Sequence, residues 1–227
     1  DGQVQKLLDI NNFKYTHSGV KASQIAMNKK KTKLIFKKLL IPFPKDISIN
    51  KKNFINKIKE IPFKFPVVIK PESEGSSIGV KICKNINQLK KYKFKEKIQY
   101  LIEQFIPGRE LTVGVVSNKA LDVIELKTKK NFYDYKSKYT KGMTKYIIPA
   151  HVPKDIERKC KKHALKIHKY FECKGITRTD FRYNEIVNLV KNSKADLIIF
   201  AENNFPYLIK DINEIKIGNL LKDNQIM

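Results

Sequence analysis

Cysteine is scarce in this chain of 227 residues, and the three copies follow no metal-binding or disulfide pattern. Cys83, Cys160 and Cys173 are scattered, odd in number and never part of a C-x-x-C pair. Such spacing argues against a zinc site and against a disulfide framework. A reducing compartment, the cytoplasm, is the simplest interpretation.

Long apolar runs are also missing. No stretch is long enough to cross a bilayer, and the run at 196–201 has the length of a buried strand. The N-terminus has no basic segment followed by an apolar one, so it does not predict a secretory signal. Hydrophobic residues make up 41% of the chain, which is enough for a core. We therefore expect a globular protein with no membrane partner.

Acidic residues are few, since 47 Lys and Arg outnumber 22 Asp and Glu to give a formal net charge of +25. This excess alone would suggest nucleic acid or an anionic surface as a partner. The lysines, however, are spread through every segment, without C2H2 spacing, an RNP-type aromatic strand or a polybasic tail. We expect no nucleic-acid partner, and salt-dependent binding to DNA or RNA would reveal the alternative.

The hydrophobic spacing predicts both helices and strands, typical of an α+β or α/β fold. Helices are predicted at 21–40, 51–60 and 86–96, and a further helix carries Ile156, Cys160, Ala164, Ile167 and Phe171 and ends at Gly175. Strands are predicted at 65–71, 80–83, 100–106, 111–116, 120–127, 177–181 and 197–204.

A small-residue loop joins two of these strands. Lys70 lies near the end of the first strand, and the loop that follows contains Ser76, Ser77 and Gly79. An ammonium on a strand, with loop hydroxyls and backbone N–H groups, could hold phosphate oxygens, although an ordinary hairpin would show the same pattern. No helix begins after the glycines, which excludes a Walker-type or dinucleotide-binding loop.

Two later strands carry oxygen-bearing side chains. Because strand side chains alternate, Arg178 shares a face with Asp180, and Glu202 shares a face with Asn204. The three oxygen ligands suit Mg²⁺, which leaves other positions to phosphates and water. Arg178 could stabilise a transferred phosphoryl group or an oxyanion. The alternatives are polar strand ends that face water and a simple salt bridge for Arg178.

A long polar loop at 128–145 interleaves aromatic and basic residues, including Phe132, Lys138 and Tyr139. Loops of this length in a compact domain are usually functional or disordered. We interpret it as a lid that keeps water from a reactive intermediate, with a mobile surface loop as the alternative. The four histidines pair with no Ser or Cys in a triad context, which argues against nucleophilic hydrolysis.

The order of these segments resembles the D-alanine–D-alanine ligases from residue 1 to about residue 184. The resemblance is carried by Asp1-Gly-x-x-Gln, Tyr15-Thr-x-Ser-Gly-Val20, Ala26-Met-Asn-Lys29, Val68-Ile-Lys-Pro71, Glu74-Gly-Ser-Ser-x-Gly79, Leu101-Ile-Glu103, Gly108-Arg-Glu-Leu-Thr-Val113, Phe132-Tyr-Asp-Tyr-x-x-Lys-Tyr139, Pro149-Ala150 and Arg178-Thr-Asp-Phe181. It implies an α+β ATP-grasp fold whose two subdomains clasp ATP. The implied divisions are a remnant of an N-terminal domain and linker at 1–28, a central subdomain at 29–110 and a catalytic subdomain at 111–227, diverged from 185 onward.

The resemblance also implies an activity. ATP converts one D-alanine to an acyl phosphate, and the amine of a second D-alanine displaces phosphate to give the dipeptide for peptidoglycan synthesis. ATP, two Mg²⁺ or Mn²⁺ ions, D-alanine as small-molecule substrate, a homodimer and a cytoplasmic location follow from the same resemblance.

The resemblance assigns roles to individual residues. It implies that Lys29 and Lys70 contact the ATP phosphates, Glu103 begins the segment lining adenine, Glu110 binds the ribose, and Phe132 belongs to the nucleotide site. Ser76 and Tyr139 would place substrate, Lys138 would reach the γ-phosphate, Arg178 would stabilise the oxyanion, and Asp180, Glu202 and Asn204 would bind metal. The tyrosine at 139 favours a dipeptide product over an ester.

Two departures from the family pattern reduce the expected activity. The resemblance implies that the family's N-terminal domain is missing ahead of Asp1, and Asn204 is followed by Phe-Pro-Tyr-Leu-Ile-Lys without the family's Gly-Met-Thr. We therefore expect the chain to bind ATP and metal but to ligate slowly or not at all. One alternative is a non-catalytic ATP-grasp remnant. The other is a different ATP-grasp carboxylate–amine ligase, and the family motif at residues 132–139 argues against this second alternative.

Overall fold

The computed structural model describes residues 1–128, 140 and 142–184, and the backbone of 197–200. The helices in these ranges are α1 (Gln3–Ile10), α2 (Val20–Met27), α3 (Lys29–Lys38), α4 (Phe54–Lys57), α5 (Ile86–Lys90) and α6 (Lys154–Tyr170), with a 3₁₀ turn at Ile58–Glu60. The strands are β1 (Asp46–Ile49), β2 (Val67–Pro71), β3 (Lys81–Cys83), β4 (Tyr100–Gln104), β5 (Arg109–Val116), β6 (Lys119–Thr128), β7 (Thr144–Ile147), β8 (Ile176–Tyr183) and β9 (Leu197–Phe200). The predicted α+β class is confirmed.

The first sheet has the strand order β1-β4-β2-β3, and its strand pairs are antiparallel. Alternate residues of β2 and β4, including Val67, Ile69 and Ile102, are fully buried beneath α4 and α5. Tyr100 lies among aromatic rings, with its ring centroid 5.1 Å from that of Phe94 in an edge-on arrangement. This core holds β2 and β4, and hence Lys70 and Glu103, in a fixed register.

The second sheet has the order β7-β6-β5-β8-β9, also antiparallel. The apolar stripe of α6 that the spacing predicted is buried against it, together with Leu111, Val113 and Phe181. Residues directly opposite each other on neighbouring strands share a face of a sheet. The pairing of Glu110 with Arg182, and of Thr112 with Asp180, therefore puts these polar side chains on the face away from that core.

The predicted single helix at 21–40 is wrong, because the chain breaks into α2 and α3 at Asn28. Asn28 has an extended ψ of 103°, and its side-chain oxygen accepts a hydrogen bond of 2.8 Å from the backbone N–H of Lys31. Asparagine is favoured as such an N-cap. The new helix start points Lys29 at the loop that follows β2. Both helices pack with the second sheet, and the predicted domain bounds remain a prediction.

Among the other helices, two predicted C-terminal ends differ. The helix at 86–96 stops at Lys90, because Tyr92 and Phe94 leave it to join the aromatic core. Gly175 does not end α6, which stops at Tyr170. Instead, Gly175 has a φ of +64°, and a Cβ there would lie 2.1 Å from the backbone oxygen of Thr16. No helix in the described ranges is long and apolar enough to cross a membrane.

Candidate functional site

The start of α3 is tied to the segment after β2. The backbone N–H of Lys29 donates to the carbonyl oxygen of Glu72 at 3.0 Å, and its Nζ donates to the carbonyl oxygen of Glu74 at 2.5 Å. Asn28 adds a hydrogen bond of 2.8 Å from Nδ2 to Oε1 of Glu72. Lys29 therefore lies at the base of the small-residue loop, against residues that follow Lys70 closely in the chain.

The loop itself adopts unusual backbone conformations. Ser76 and Ser77 have φ values of 52° and 58°, and Gly79 has a φ of 70°. A Cβ on Gly79 would lie 2.8 Å from Cγ of Pro71, so glycine permits the loop to fold back over the end of β2. The carbonyl oxygen of Gly79 accepts a hydrogen bond of 2.6 Å from the Tyr92 hydroxyl. Ser76 thus lies in a turn that begins just after Glu74, whose carbonyl oxygen accepts a hydrogen bond from Lys29.

A buried cluster of charges lies beside this loop. Glu103 is fully buried, with Oε2 2.6 Å from Nζ of Lys70 and Oε1 2.7 Å from Nζ of Lys33. Lys33 also lies 2.8 Å from Oδ1 of Asp46 and donates to the carbonyl oxygen of Pro44 at 3.0 Å. Burial by itself raises the pKa of the Glu103 carboxyl, but attraction to Lys70 and Lys33 outweighs it and holds the pKa below its ordinary value.

The sequence predicted that Lys70 contacts the ATP phosphates and that Glu103 begins the segment lining adenine. In the structure these two side chains form an ion pair with each other. Sequence reasoning missed Lys33 and Asp46. The available signal was the position of Lys33 on the apolar face of its helix, at the spacing of Ala26 and Phe36. A lysine at such a position is rare unless its charge is paired.

The polar face of the second sheet holds the predicted oxyanion and metal residues. Nε and Nη2 of Arg178 each lie 3.0 Å from one oxygen of Asp180. The hydroxyl of Thr112 donates to Oδ1 of Asp180 at 2.7 Å. The predicted shared face of Arg178 and Asp180 is confirmed: Nη2 of the partly buried Arg178 donates to Oδ2 of Asp180, and Nε lies within ion-pair distance of Oδ1. Such a pair fixes the plane of the guanidinium.

Glu110 lies on the same face, at the start of β5. Its Oε2 is 3.1 Å from Nη2 of Arg182, whose Nη1 donates to the carbonyl oxygen of Gly108 at 3.1 Å. A Cβ at Gly108 would lie 2.2 Å from the backbone oxygen of Tyr183, so the turn at 105–108 packs tightly on the end of β8. This turn separates Glu103 from Glu110 and joins the two sheets.

The predicted neighbour of β8 is present. The backbone of β9 pairs antiparallel with β8, with Phe200 opposite Asp180. The other predicted site residues lie outside the described residues; they are Phe132, Lys138, Tyr139, Glu202 and Asn204. In the ranges that are described, no three Asp, Glu, His or Cys side chains converge as a metal site, and of the three predicted ligands only Asp180 lies in these ranges.

The arrangement suits a polyanionic ligand. Lys29 and Lys70 present ammonium groups at the two ends of the segment 70–74, and the small-residue loop follows directly. Helix α3 lies between the sheets, since Phe36 packs in the core of the second sheet while Lys33 contacts Glu103 of the first. Ammonium groups and loop N–H groups are the donors that phosphate oxygens accept.

Comparison with known proteins identifies the family. The family model described as D-ala D-ala ligase C-terminus matches residues 35–193, more than half of the chain. The D-alanine–D-alanine ligase of Pelagibacter ubique (strain HTCC1062) is 47% identical over 188 residues, which cover 81% of this chain and 62% of the relative. The chain spans about three fifths of the length of the curated relatives it matches.

Solved structures agree in fold. The VanG D-Ala:D-Ser ligase from Enterococcus faecalis has a TM-score of 0.75 at 23% identity, covering 91% of this chain and 60% of that one. The D-alanine–D-alanine ligase from Bacillus anthracis complexed with ATP has a TM-score of 0.69 at 26% identity, covering 91% of this chain and 65% of that one. Together with the family match, these likenesses show that the chain has the ATP-grasp fold and belongs to the D-alanine–D-alanine ligase family, of which it represents the C-terminal part.

Proposed function

We propose that this chain is the nucleotide-binding and catalytic part of an ATP-dependent ligase that joins two D-alanines for peptidoglycan synthesis in the cytoplasm. The observation that carries the proposal is a pair of lysines next to the small-residue loop: Lys29 donates to the carbonyl oxygen of Glu74 at the base of the loop, and Lys70, on the strand that leads into the loop, pairs with the buried carboxylate of Glu103. Family membership supplies the reaction class, and the homodimer implied by the family resemblance is part of the proposal.

In the proposed nucleotide site, Lys29 and Lys70 bind phosphate oxygens, and the small-residue loop closes over them. Glu103 begins the segment that receives adenine, and Glu110 binds the ribose hydroxyls across the turn at 105–108. The short backbone path between these two glutamates supports a single nucleotide contacting both sheets. Phe132 and Lys138 complete the site from the proposed lid.

The first step of the proposed reaction is phosphoryl transfer. A carboxylate oxygen of one D-alanine bonds to the γ-phosphorus, and the bond from that phosphorus to the β–γ bridging oxygen breaks, which releases ADP. Lysine charges stabilise the phosphoryl oxygens in this step. A divalent cation bound by Asp180, Glu202 and Asn204 would neutralise phosphate charge when present.

The second step is amide formation. The amine of the second D-alanine attacks the acyl carbon, the carbon–oxygen bond to phosphate breaks, and the nitrogen loses a proton. Asp180 orients the guanidinium group of Arg178 through contacts with Nε and Nη2. Arg178 stabilises the oxyanion that develops on the carbonyl oxygen. Ser76 and Tyr139 position the substrates, and the tyrosine favours the dipeptide over an ester.

A nucleotide-binding test and a turnover test separate this proposal from its alternatives. Thermal unfolding with and without Mg-ATP should show stabilisation, about 2.7 kcal/mol when ATP is at a hundred times its Kd. The Lys70→Met variant should lose the stabilisation, and the variant of an exposed lysine on α3, Lys37→Met, should keep it. Absence of stabilisation in the unaltered chain would refute nucleotide binding.

Turnover is measured as ADP release coupled to a spectrophotometric readout, with and without D-alanine. We expect release that depends on D-alanine but is slow, because the chain spans about three fifths of its relatives' length. Mg-ATP stabilisation without any such release would favour the non-catalytic remnant. Release stimulated only by another amine or carboxylate would favour a different ATP-grasp ligase.

A further inference from the structure

Lys33 is a buried lysine with three acceptors and no place among the predicted site residues. Its ammonium group lies within 3.0 Å of the carbonyl oxygen of Pro44, Oδ1 of Asp46 and Oε1 of Glu103. An ammonium has three N–H donors, so these acceptors match its capacity. The side chain of Lys33 is 11% exposed, and burying a charge is costly unless the charge is paired.

The strand order explains why a cation is needed there. Asp46 on β1 lies directly opposite Glu103 on β4, which places two carboxylates side by side. Like charges directly opposite each other destabilise a sheet. Lys33 comes from α3, outside the sheet, and lies within ion-pair distance of both carboxylates. Lys70 on β2 lies on the other side of β4 and contacts the second oxygen of Glu103.

The charges of the four groups decide what Lys70 can offer a ligand. The charges of two ammonium groups and two carboxylates sum to zero. Glu103, however, shares its single negative charge between two lysines, because Oε1 pairs with Lys33 and Oε2 pairs with Lys70. Without Lys33, the whole charge of Glu103 would fall on Lys70, and the nearby charge of Asp46 would remain uncompensated. The potential at the Lys70 ammonium would then become less positive, and an incoming phosphate would meet a neutral ion pair.

We propose that Lys33 is a positioning residue for the nucleotide phosphates: it takes up one oxygen of Glu103 so that Lys70 keeps positive charge for a phosphate oxygen. The inference rests on the proposed function, because it presumes that Lys70 contacts ATP. It assigns Lys33 no contact with the ligand. Its effect therefore passes through Glu103, and it should depend on the positive charge of residue 33 more than on the shape of the side chain.

The test compares phosphate-dependent and phosphate-independent binding in four variants of the full chain. Calorimetry measures the Kd of Mg-ATP, and saturation-transfer NMR measures the binding of adenosine. Lys33→Met removes the charge, Lys33→Arg keeps it, Asp46→Asn leaves Lys33 to Glu103 alone, and Lys37→Met is the control, an exposed lysine four residues along the same helix. Circular dichroism and thermal unfolding check that each variant folds.

We expect Lys33→Met to raise the Kd of Mg-ATP about tenfold, equivalent to about 1.4 kcal/mol, with adenosine binding unchanged. Lys33→Arg and Lys37→Met should stay near the unaltered chain, and Asp46→Asn should bind Mg-ATP equally or more tightly. If Lys33→Met fails to fold, Lys33→Arg and Asp46→Asn still test the inference. An increase of about tenfold in the Kd of Mg-ATP in Asp46→Asn would overturn it.

Two other results would overturn it. Equal loss of adenosine and Mg-ATP binding in Lys33→Met would show a structural role only, and unchanged Mg-ATP binding in that variant would show that Lys70 does not need Lys33. The second result leaves the proposed function intact, because the unaltered chain still binds Mg-ATP. Absence of Mg-ATP binding in the unaltered chain overturns both.

Discussion

Replacing the buried carboxylate of Glu103 tests how much the charge cluster stabilises the fold. In the variant Glu103→Gln, the neutral side chain keeps nearly the same shape but no longer balances Lys33 and Lys70, which lie 2.7 and 2.6 Å from its oxygens. Asp46 then remains as the carboxylate partner of Lys33, 2.8 Å from its ammonium group. Within the cluster, the carboxylate of Asp46 is then the one negative charge that faces two largely buried ammonium groups.

The size of the effect follows from burial. Removing one partner of a buried ion pair typically costs about 3–5 kcal/mol, because the remaining charge stays buried and uncompensated. We expect about 3 kcal/mol for Glu103→Gln, since the amide oxygen can still accept a hydrogen bond. That is a large part of the total of about 5–15 kcal/mol that stabilises a typical domain.

The pH dependence of the free energy of unfolding should also change in Glu103→Gln. The pKa of Glu103 is depressed in the folded chain, so its contribution is present above the ordinary carboxyl pKa of about 4.3 and is lost as the pH falls through the lower folded value. The unaltered chain should therefore lose stability in acid more steeply than Glu103→Gln, and the difference between them should shrink below about pH 4.

Urea unfolding followed by circular dichroism, at pH 7 and in a series down to pH 3, measures both effects. The control is Glu60→Gln, which removes a carboxylate 55% exposed that pairs with Lys57 at the surface, and we expect a change under about 1 kcal/mol. Equal free energies of unfolding for Glu103→Gln and the unaltered chain at pH 7 would refute a stabilising cluster. A pH-independent difference would refute the assignment of the ionised carboxylate.

Three further predictions concern the core, the backbone and the polar face. Phe36→Ala should lower the free energy of unfolding by about 3–5 kcal/mol in urea titrations, because Phe36 is 1% exposed in the core shared by α3 and the second sheet. Gly175→Ala should lower the melting temperature measured by circular dichroism, because its φ is +64° and the added Cβ would lie 2.1 Å from the backbone oxygen of Thr16. If ADP release depends on D-alanine, Arg178→Lys should reduce kcat about a hundredfold or more in that assay. The reason is that a lysine has one nitrogen and cannot contact both oxygens of Asp180 as Nε and Nη2 of Arg178 do. A kcat within a factor of three of the unaltered chain would contradict this role.

Local periodicity made much of the fold predictable. Strand alternation put Arg178 and Asp180 on one face, and the helical spacing of Ile156, Cys160 and Ala164 identified the buried stripe of α6. The predictions failed where a single side chain decided the outcome. Asn28 caps a new helix in the middle of a predicted one, and Tyr92 leaves a predicted helix because the aromatic core is a more favourable environment.

The sequence alone determined the order of elements, the family motifs and the faces of individual strands, because each depends on residues a few positions apart. Only the tertiary structure decided that Lys33, Asp46, Lys70 and Glu103 form one cluster. Their contact depends on β4 lying between β1 and β2 and on α3 lying across that junction. Ion pairing between residues so far apart in the chain is set by strand order and packing, which no local pattern reports.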